Sequence, residues 1–137
     1  MTIWMFQDQP FEEQLIDDNV GFVYLITNLV NGKKYIGKKL FFKRKISRRK
    51  GKKKTTTRVF SDWQSYWGSN LNLQQDVKTL GEHNFQRQIL MLCKTKGLMS
   101  WWETKHQIEQ NVLLDDNYYN TFVGCRIHKK HLLSSSK

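Results

Sequence analysis

Two tyrosines, Tyr24 and Tyr35, sit in the two arms of the stretch "GFVYLITNLVNGKKYIGKK", residues 21–39. Paired phenols on neighbouring strands offer two O–H groups that orient a water or a phosphate, or take up a proton once ionised. Side chains alternate along a strand, so Phe22, Tyr24 and Ile26 share one face of the first arm, and Tyr35 and Gly37 share one face of the second. If both faces point the same way, the phenols converge beside Gly37, where a missing side chain admits a backbone or a phosphate. The same pattern also fits two tyrosines that merely pack on a strand surface.

The second chemical feature is charge. The net charge is +11, from 23 Lys/Arg against 12 Asp/Glu. Residues 38–58, "KKLFFKRKISRRKGKKKTTTR", hold 12 of those basic residues and no acid, while the rest of the chain carries the other 11 with all 12 acids. The positive excess is therefore one local block. Clustered Lys/Arg release counterions from nucleic acid, which makes Lys38, Lys39, Lys43, Lys45, Arg48, Arg49, Lys50, Lys52, Lys53, Lys54 and Arg58 candidates for phosphate contacts. A solvated loop is the plainer alternative. The block lacks the amphipathic helical period of a membrane-surface segment.

The elements that must position these groups can be read around them. "GFVYLIT" is a strand by its β-branched and aromatic content, and Asn31-Gly32 is a hairpin turn pair. The basic block reads as a loop or a helix start with a mobile tip near Gly51. Ser61 and Asp62 are candidate N-caps for a short helix carrying Trp63 and Trp67. Leu73, Val77 and Leu80 recur at helical spacing before a Gly81 stop. Residues 84–94, "NFQRQILMLCK", read as a third and more central strand. Residues 100–114 read as a helix, with Ser100 and Glu103 spaced as a capping box; that would make Glu103 structural. Trp101 and Trp102 beside it read as core. Trp4, Phe6 and Phe11 suggest that the acidic arm 1–20 packs onto the domain, and 125–137 reads as a basic tail.

Other chemistry is sparse. Cys125, His128 and His131 have a spacing that attracts zinc, but no fourth ligand is evident. There is no Gly-rich phosphate loop, Ser-His-Asp order or dinucleotide fingerprint. No apolar run approaches the roughly 18 residues of a membrane span. The N-terminus lacks a basic then apolar leader, so Cys93 and Cys125 are expected as free thiols in a reducing cytoplasm.

"GFVY" and "YIG" at this separation resemble the two halves of the GIY-YIG nuclease signature, with Gly-Phe-Val-Tyr standing where the family name has Gly-Ile-Tyr. "WWETKHQIEQ" then supplies Glu103 on a helix after the third strand, and "YYN" supplies Asn120, in the family's order. The resemblance spans about residues 21–124. "SDWQSYWGS" and "YYNTFVGCR" look like small phage-encoded members. The resemblance implies an α+β fold, a three-stranded antiparallel sheet flanked by helices, with the basic block as an insertion. It implies paired active-site tyrosines at Tyr24 and Tyr35, a metal-binding carboxylate at Glu103 and a supporting Asn120. It also implies a basic residue on a helix after the second half-motif; Arg44 is the first choice there, with Lys45 and Lys38 as competitors. Tyr66 is the candidate for a further aromatic group near the site.

The chemistry so implied is divalent-metal-dependent hydrolysis of phosphodiester bonds in double-stranded DNA. One carboxylate suffices for one Mg²⁺ or Mn²⁺, since hard cations take oxygen ligands and keep waters and phosphate oxygens. A neighbouring cation would lower the Tyr24 pKa and let it act as general base. With no residues left for a separate DNA-reading domain, loose specificity or homo-oligomerisation is expected, with no membrane partner. A phage protein of this kind would work in the host cytoplasm. The rivals are a non-catalytic nucleic-acid-binding protein and a structure-selective resolvase or repair nuclease.

Overall fold

The computed structural model describes residues 2–133. Its main sheet has five strands: β1 (Trp4–Phe6), β2 (Gln9–Pro10), β3 (Gly21–Asn28), β4 (Lys34–Leu40) and β7 (Phe85–Cys93). Their order is β2-β1-β7-β3-β4. The β1–β7 pair is parallel and the other pairs are antiparallel, so the sheet is mixed. The expected antiparallel trio is present as β4-β3-β7, but the sheet is larger than three strands. The two extra strands come from the N-terminal arm. They are only three and two residues long, and their turn, Gln7-Asp8, takes positive φ at both residues (51° and 64°) without the usual Asn-Gly signal.

Helices and turns complete the layers. α1 (Leu71–Leu80) is capped by Asn70, whose side chain accepts from Leu73 N–H. α2 (Lys96–Glu109) starts at Thr95, whose hydroxyl accepts from Leu98 N–H. Trp63–Ser65 form a single 3-10 turn in place of the expected short helix. A short α3 (Lys129–Leu133) follows near the end of the described chain. No helix among the described residues is long and apolar enough to cross a membrane.

Each sheet face has its own core. Phe22, Tyr24 and Ile26 of β3 pack with Trp4, Phe11, Phe41, Trp63 and Leu73 on one side. Val23, Ile36 and Cys93 pack with Met99 of α2 and Val112 on the other. Strand alternation produces this division, and the two faces are covered by different parts of the chain. The Trp4 ring lies 5.0 Å from Phe22 and 5.3 Å from Tyr24, and its Nε1 donates to the Trp63 carbonyl at 2.7 Å. Arg87 is buried between the Trp4 and Trp67 rings, 4.6 and 4.4 Å away, and donates to the Tyr66 carbonyl at 2.8 Å.

The basic block forms neither loop nor helix. It is a second hairpin, β5 (Phe42–Ser47) and β6 (Thr55–Phe60), making a separate two-stranded sheet. Thr55-Thr56-Thr57, Val59 and the Phe42–Phe60 pair supply strand propensity that the charge run obscured. Its tip is a turn in which Lys52 N–H donates to the Arg49 carbonyl at 2.9 Å, with Gly51 at φ 78°.

Candidate active site

The register of the first hairpin decides the tyrosine question. Tyr24 pairs with Gly37, and Ile26 pairs with Tyr35. Tyr24, Tyr35 and Gly37 therefore share one face, and the two rings lie 6.2 Å apart. Gly37 does not hold a place open for a phosphate. The Tyr24 phenol lies over it: a Cβ there would sit 2.6 Å from Tyr24 Cζ and 3.0 Å from Tyr35 Cε2. The missing side chain lets the Tyr24 hydroxyl cross β4, which is the edge strand of the sheet.

That edge is where the other groups arrive. Lys38 and Ile36 of β4 face α2, on the opposite side from the tyrosines. Tyr24, Tyr35, Lys38, Ser69, Glu103 and Asn120 together line one cavity of about 340 Å³. The site thus straddles the edge of β4, with phenols from one face and Lys38, Glu103 and Gln107 from the other.

Glu103 is not a capping residue. α2 begins one turn earlier than the Ser100 spacing suggested, at Thr95, so Ser100 and Glu103 are both interior to it. The reason is Thr95, which satisfies the first free N–H groups before Ser100 is reached. Ser100 instead accepts from Lys38 Nζ at 2.7 Å, which holds that ammonium 3.9 Å from Glu103 Oε1. Burial raises the Glu103 carboxyl above its usual range, and the Lys38 charge partly lowers it again.

Asn120 fixes backbone and does not touch the carboxylate. Its Oδ1 accepts from Ile36 N–H at 3.1 Å and its Nδ2 donates to the Ile36 carbonyl at 2.8 Å. Gln107 Nε2 donates to the same carbonyl at 3.0 Å. The segment carrying Asn120 is tied along β4 by a Lys34–Tyr118 bridge, and Tyr119 Oη donates to Asp76 Oδ2 at 2.6 Å. The outward backbone groups of Lys34 and Ile36 are thus satisfied without a further strand.

The phenols are electrostatically unlike what the sequence suggested. The Tyr24 pKa lies well above its usual value: burial is the first cause, followed by the neighbouring Tyr66 and Tyr35. Tyr35 is also raised by burial, against a hydrogen bond with Ser69 Oγ at 3.1 Å. Both phenols hold their protons at neutral pH, which equips them as hydrogen-bond donors. Tyr66 does join them, its ring 6.0 Å from Tyr24 and edge-on to it. Lys39 lies 4.0 Å above the Tyr66 ring and pairs with Asp62 at 2.6 Å, so it braces the site's rim.

Arg44 and Lys45 lie on exposed β5, away from the residues that line the cavity. The expected helix after the second half-motif is absent, and the cation in the cavity is Lys38. Lys43, Arg48, Arg49, Lys50, Lys52, Lys53, Lys54 and Arg58 are all exposed on the second hairpin. Among the described residues no three metal-ligating His, Cys, Asp or Glu side chains gather; Cys125 Sγ instead points at the Ser100 carbonyl, 3.6 Å away. Trp101 is exposed, which corrects its placement in the core.

Two contributors escaped the sequence reading. Ser69 holds the Tyr35 hydroxyl, and Gly68, at φ 82°, lets the chain pass 3.2 Å from the Tyr35 ring where a Cβ would stand. The signal available was the Gly-Ser-Asn run 68–70 directly ahead of an α-helix, a helix read only for its apolar spacing and its Gly81 stop. The cavity's donors are carboxylate, hydroxyl and amide oxygens with no thiol or imidazole, a set that suits a hard divalent cation.

Comparison with known proteins agrees with this geometry. A family model described as "Putative endonuclease segE, GIY-YIG domain" matches residues 4–123, starting at the first residue of β1. The "Putative endonuclease segE" of Enterobacteria phage T4 is 37% identical over 103 residues, and "Putative endonuclease segD" of the same phage is 29% identical over 104. Those matches take in 75% and 76% of this chain but 41% and 38% of the relatives, so the chain spans about two fifths of their length. No solved structure matches. With the tyrosine pair, the helical glutamate and the asparagine in place, the chain belongs to the GIY-YIG domain family that the SegE model describes.

Proposed function

We propose that the protein is an endonuclease that hydrolyses phosphodiester bonds in double-stranded DNA with one Mg²⁺ or Mn²⁺ ion. The observation that carries this reading is the convergence of Tyr24, Tyr35, Lys38 and Glu103 on one polar cavity at β4, the strand that runs on through Phe41 into the basic hairpin. Glu103 would hold the ion, which when bound supplies Lewis-acid stabilisation of phosphate charge. The protein's own groups do the rest. Lys38 brings a positive charge to the scissile phosphate, and the protonated phenols of Tyr24 and Tyr35 orient the attacking water and a phosphate oxygen. Hydrolysis forms a bond from the water oxygen to phosphorus and breaks the bond to the leaving sugar oxygen. Ser69 positions Tyr35, and Asn120 with Gln107 hold the edge strand on which Tyr35 and Lys38 ride.

Residues 38–58 supply the affinity for DNA. A single site cuts one strand, so a double-strand break takes two protomers or two successive nicks. The similarity to proteins of a bacteriophage favours action in the cytoplasm of an infected host cell.

The test is conversion of supercoiled plasmid to nicked or linear form, with Mg²⁺ and with chelator. Metal-dependent conversion is the expected result. Tight, salt-sensitive binding with no conversion in any divalent metal would favour a purely DNA-binding protein. A rate on four-way junctions far above that on linear duplex would favour a structure-selective nuclease.

A further inference from the structure

The second hairpin is an unusual object for a folded protein. It holds 10 Lys/Arg and no acid in residues 42–60, and it has no buried side. Two-stranded hairpins alone are marginally stable in water, normally needing a third strand or a helix to pack on. This one instead places Arg44 directly opposite Arg58. Like charges opposed across strands are destabilising, and a polyanion between or around them removes that penalty.

The charge is also two-sided. By alternation, Arg44 and Arg58 stand on one face and Lys43 and Lys45 on the other. The tip adds six more cations between Arg48 and Lys54. An arm that lies across a row of phosphates needs one cationic face, and the other would be free to be neutral. Cations on both faces call for phosphates on both sides, and the grooves of a duplex provide them.

Dimensions choose the groove. Paired strands lie about 4.8 Å apart, and side chains bring a ribbon to roughly 10 Å. The major groove of B-form DNA, about 12 Å wide, admits a two-stranded ribbon, and the minor groove, about 6 Å wide, does not. The deep, narrow major groove of A-form RNA also excludes it.

The hairpin is fixed at its root. Phe42 and Phe60 stack at 5.0 Å, and the Arg58 guanidinium lies 3.6 Å over the Phe42 ring. Phe41, one residue before, is fully buried, and its carbonyl accepts from Ser61 N–H at 2.8 Å. The Ser61 hydroxyl donates to the Leu40 carbonyl at 2.6 Å. Lys38 of the cavity lies only four residues before Phe42, and Tyr66 six residues after Phe60. A ribbon of six residues per strand, about 20 Å long, therefore leaves the body beside Lys38, which lines a shallow depression together with Phe42, Lys43 and Ser61.

We propose that the β5–β6 ribbon stands in the major groove of B-form DNA, with phosphate walls against both of its faces, and so sets which backbone bond reaches the cavity at its root. This rests on the reading of the site as one that acts on duplex DNA, and it replaces a one-sided backbone clamp with a groove seat.

The experiment uses the full chain carrying Glu103→Gln, so that binding is measured without cleavage. Binding to a 30-base-pair duplex is followed with dimethyl-sulfate methylation of guanine N7, with netropsin in the minor groove, and with duplex RNA of the same sequence. The ribbon predicts that N7 methylation within about one turn weakens binding at least tenfold. Netropsin leaves it unchanged, and duplex RNA binds at least tenfold more weakly. Paired substitutions read the two faces. Arg44→Gln with Arg58→Gln, and separately Lys43→Gln with Lys45→Gln, should each lower the slope of log affinity against log salt by about 2. The proposal is overturned if N7 methylation has no effect, if netropsin displaces the protein, if RNA binds equally well, or if only one face changes the slope. The wild-type plasmid assay reads the nuclease separately: N7-sensitive binding without metal-dependent cutting would sink the nuclease reading and leave the ribbon standing.

Discussion

β3–β4 and β5–β6 are consecutive hairpins joined by one residue, Phe41, and they are built by opposite rules. In the first, Phe22, Val23, Tyr24, Ile26 and Ile36 are buried, and both sheet faces are covered. Every chemically useful group there is placed by its neighbours: Tyr24 by packing against Trp4 and Gly37, Tyr35 by a hydrogen bond with Ser69, Lys38 by one to Ser100. In the second, almost nothing is buried, and Ile46 is 64% exposed. Packing is not what selects its residues, and the proposed seat in DNA accounts for them. Precision of fractions of an ångström belongs to the first hairpin and reach belongs to the second. Phe41, at 0% exposure, is the hinge pin that keeps them in register.

Substitutions can break this contrast or sharpen it. Within the two hairpins, the largest effect is expected from Tyr24→Phe and Tyr35→Phe, which keep the packing and remove one hydroxyl each. Single-turnover cleavage at saturating protein should fall by about 10²-fold or more, with affinity for duplex unchanged. The four ribbon substitutions should do the reverse, changing affinity and sparing that rate.

Next comes Gly37→Ala. Its Cβ meets the Tyr24 ring, so denaturant unfolding should show a loss of about 1–3 kcal/mol. In the ribbon, Ile46→Ala should stay within about 0.5 kcal/mol of wild type. Equal losses at the two positions would erase the distinction between the hairpins.

Asn120→Ala leaves the Ile36 N–H without its partner at the sheet edge, and should cost about 1–3 kcal/mol by the same measurement. The smallest effect concerns the thiols. Burial pushes the Cys93 pKa up to about 12, while Cys125 is exposed. A maleimide at pH 8 should therefore label one thiol per native chain, and a second only in denaturant.

The sequence exposed the first hairpin because its signals are local. Asn31-Gly32 marks the turn, alternation puts Tyr24 with Ile26, and alternation that passes into an apolar run within 84–94 marks the central strand. Motif order put Glu103 on a helix and Asn120 in the segment after it, which is where the structure has them. What stayed hidden depends on contacts between distant segments. β1 and β2 are too short to show a period, and they exist because Trp4 finds the Tyr24 face. The start of α2 turned on one threonine, and an attractive Ser-x-x-Glu spacing inside the helix masked it. The choice among Lys38, Arg44 and Lys45 turned on a second hairpin that charge composition disguised as a loop. Burial of Tyr24, and with it the upward shift of its phenol, is likewise a property of the assembled core.

The most direct measurement concerns Glu103. Burial raises its carboxyl pKa above the unfolded value, so the folded state holds that proton more tightly. Its contribution to stability is complete below the unfolded pKa and is lost as pH rises through the folded one. Glu103→Gln removes a charge that folding disfavours, and its melting temperature at neutral pH should equal or exceed that of wild type. Plasmid cleavage in Mg²⁺ by this variant, measured beside its duplex affinity, isolates the site. The expected result is a stable protein that binds as wild type does and cuts at least about 10³-fold more slowly. Cutting at the wild-type rate would show that the cavity at the edge of β4 is not where the phosphodiester is hydrolysed.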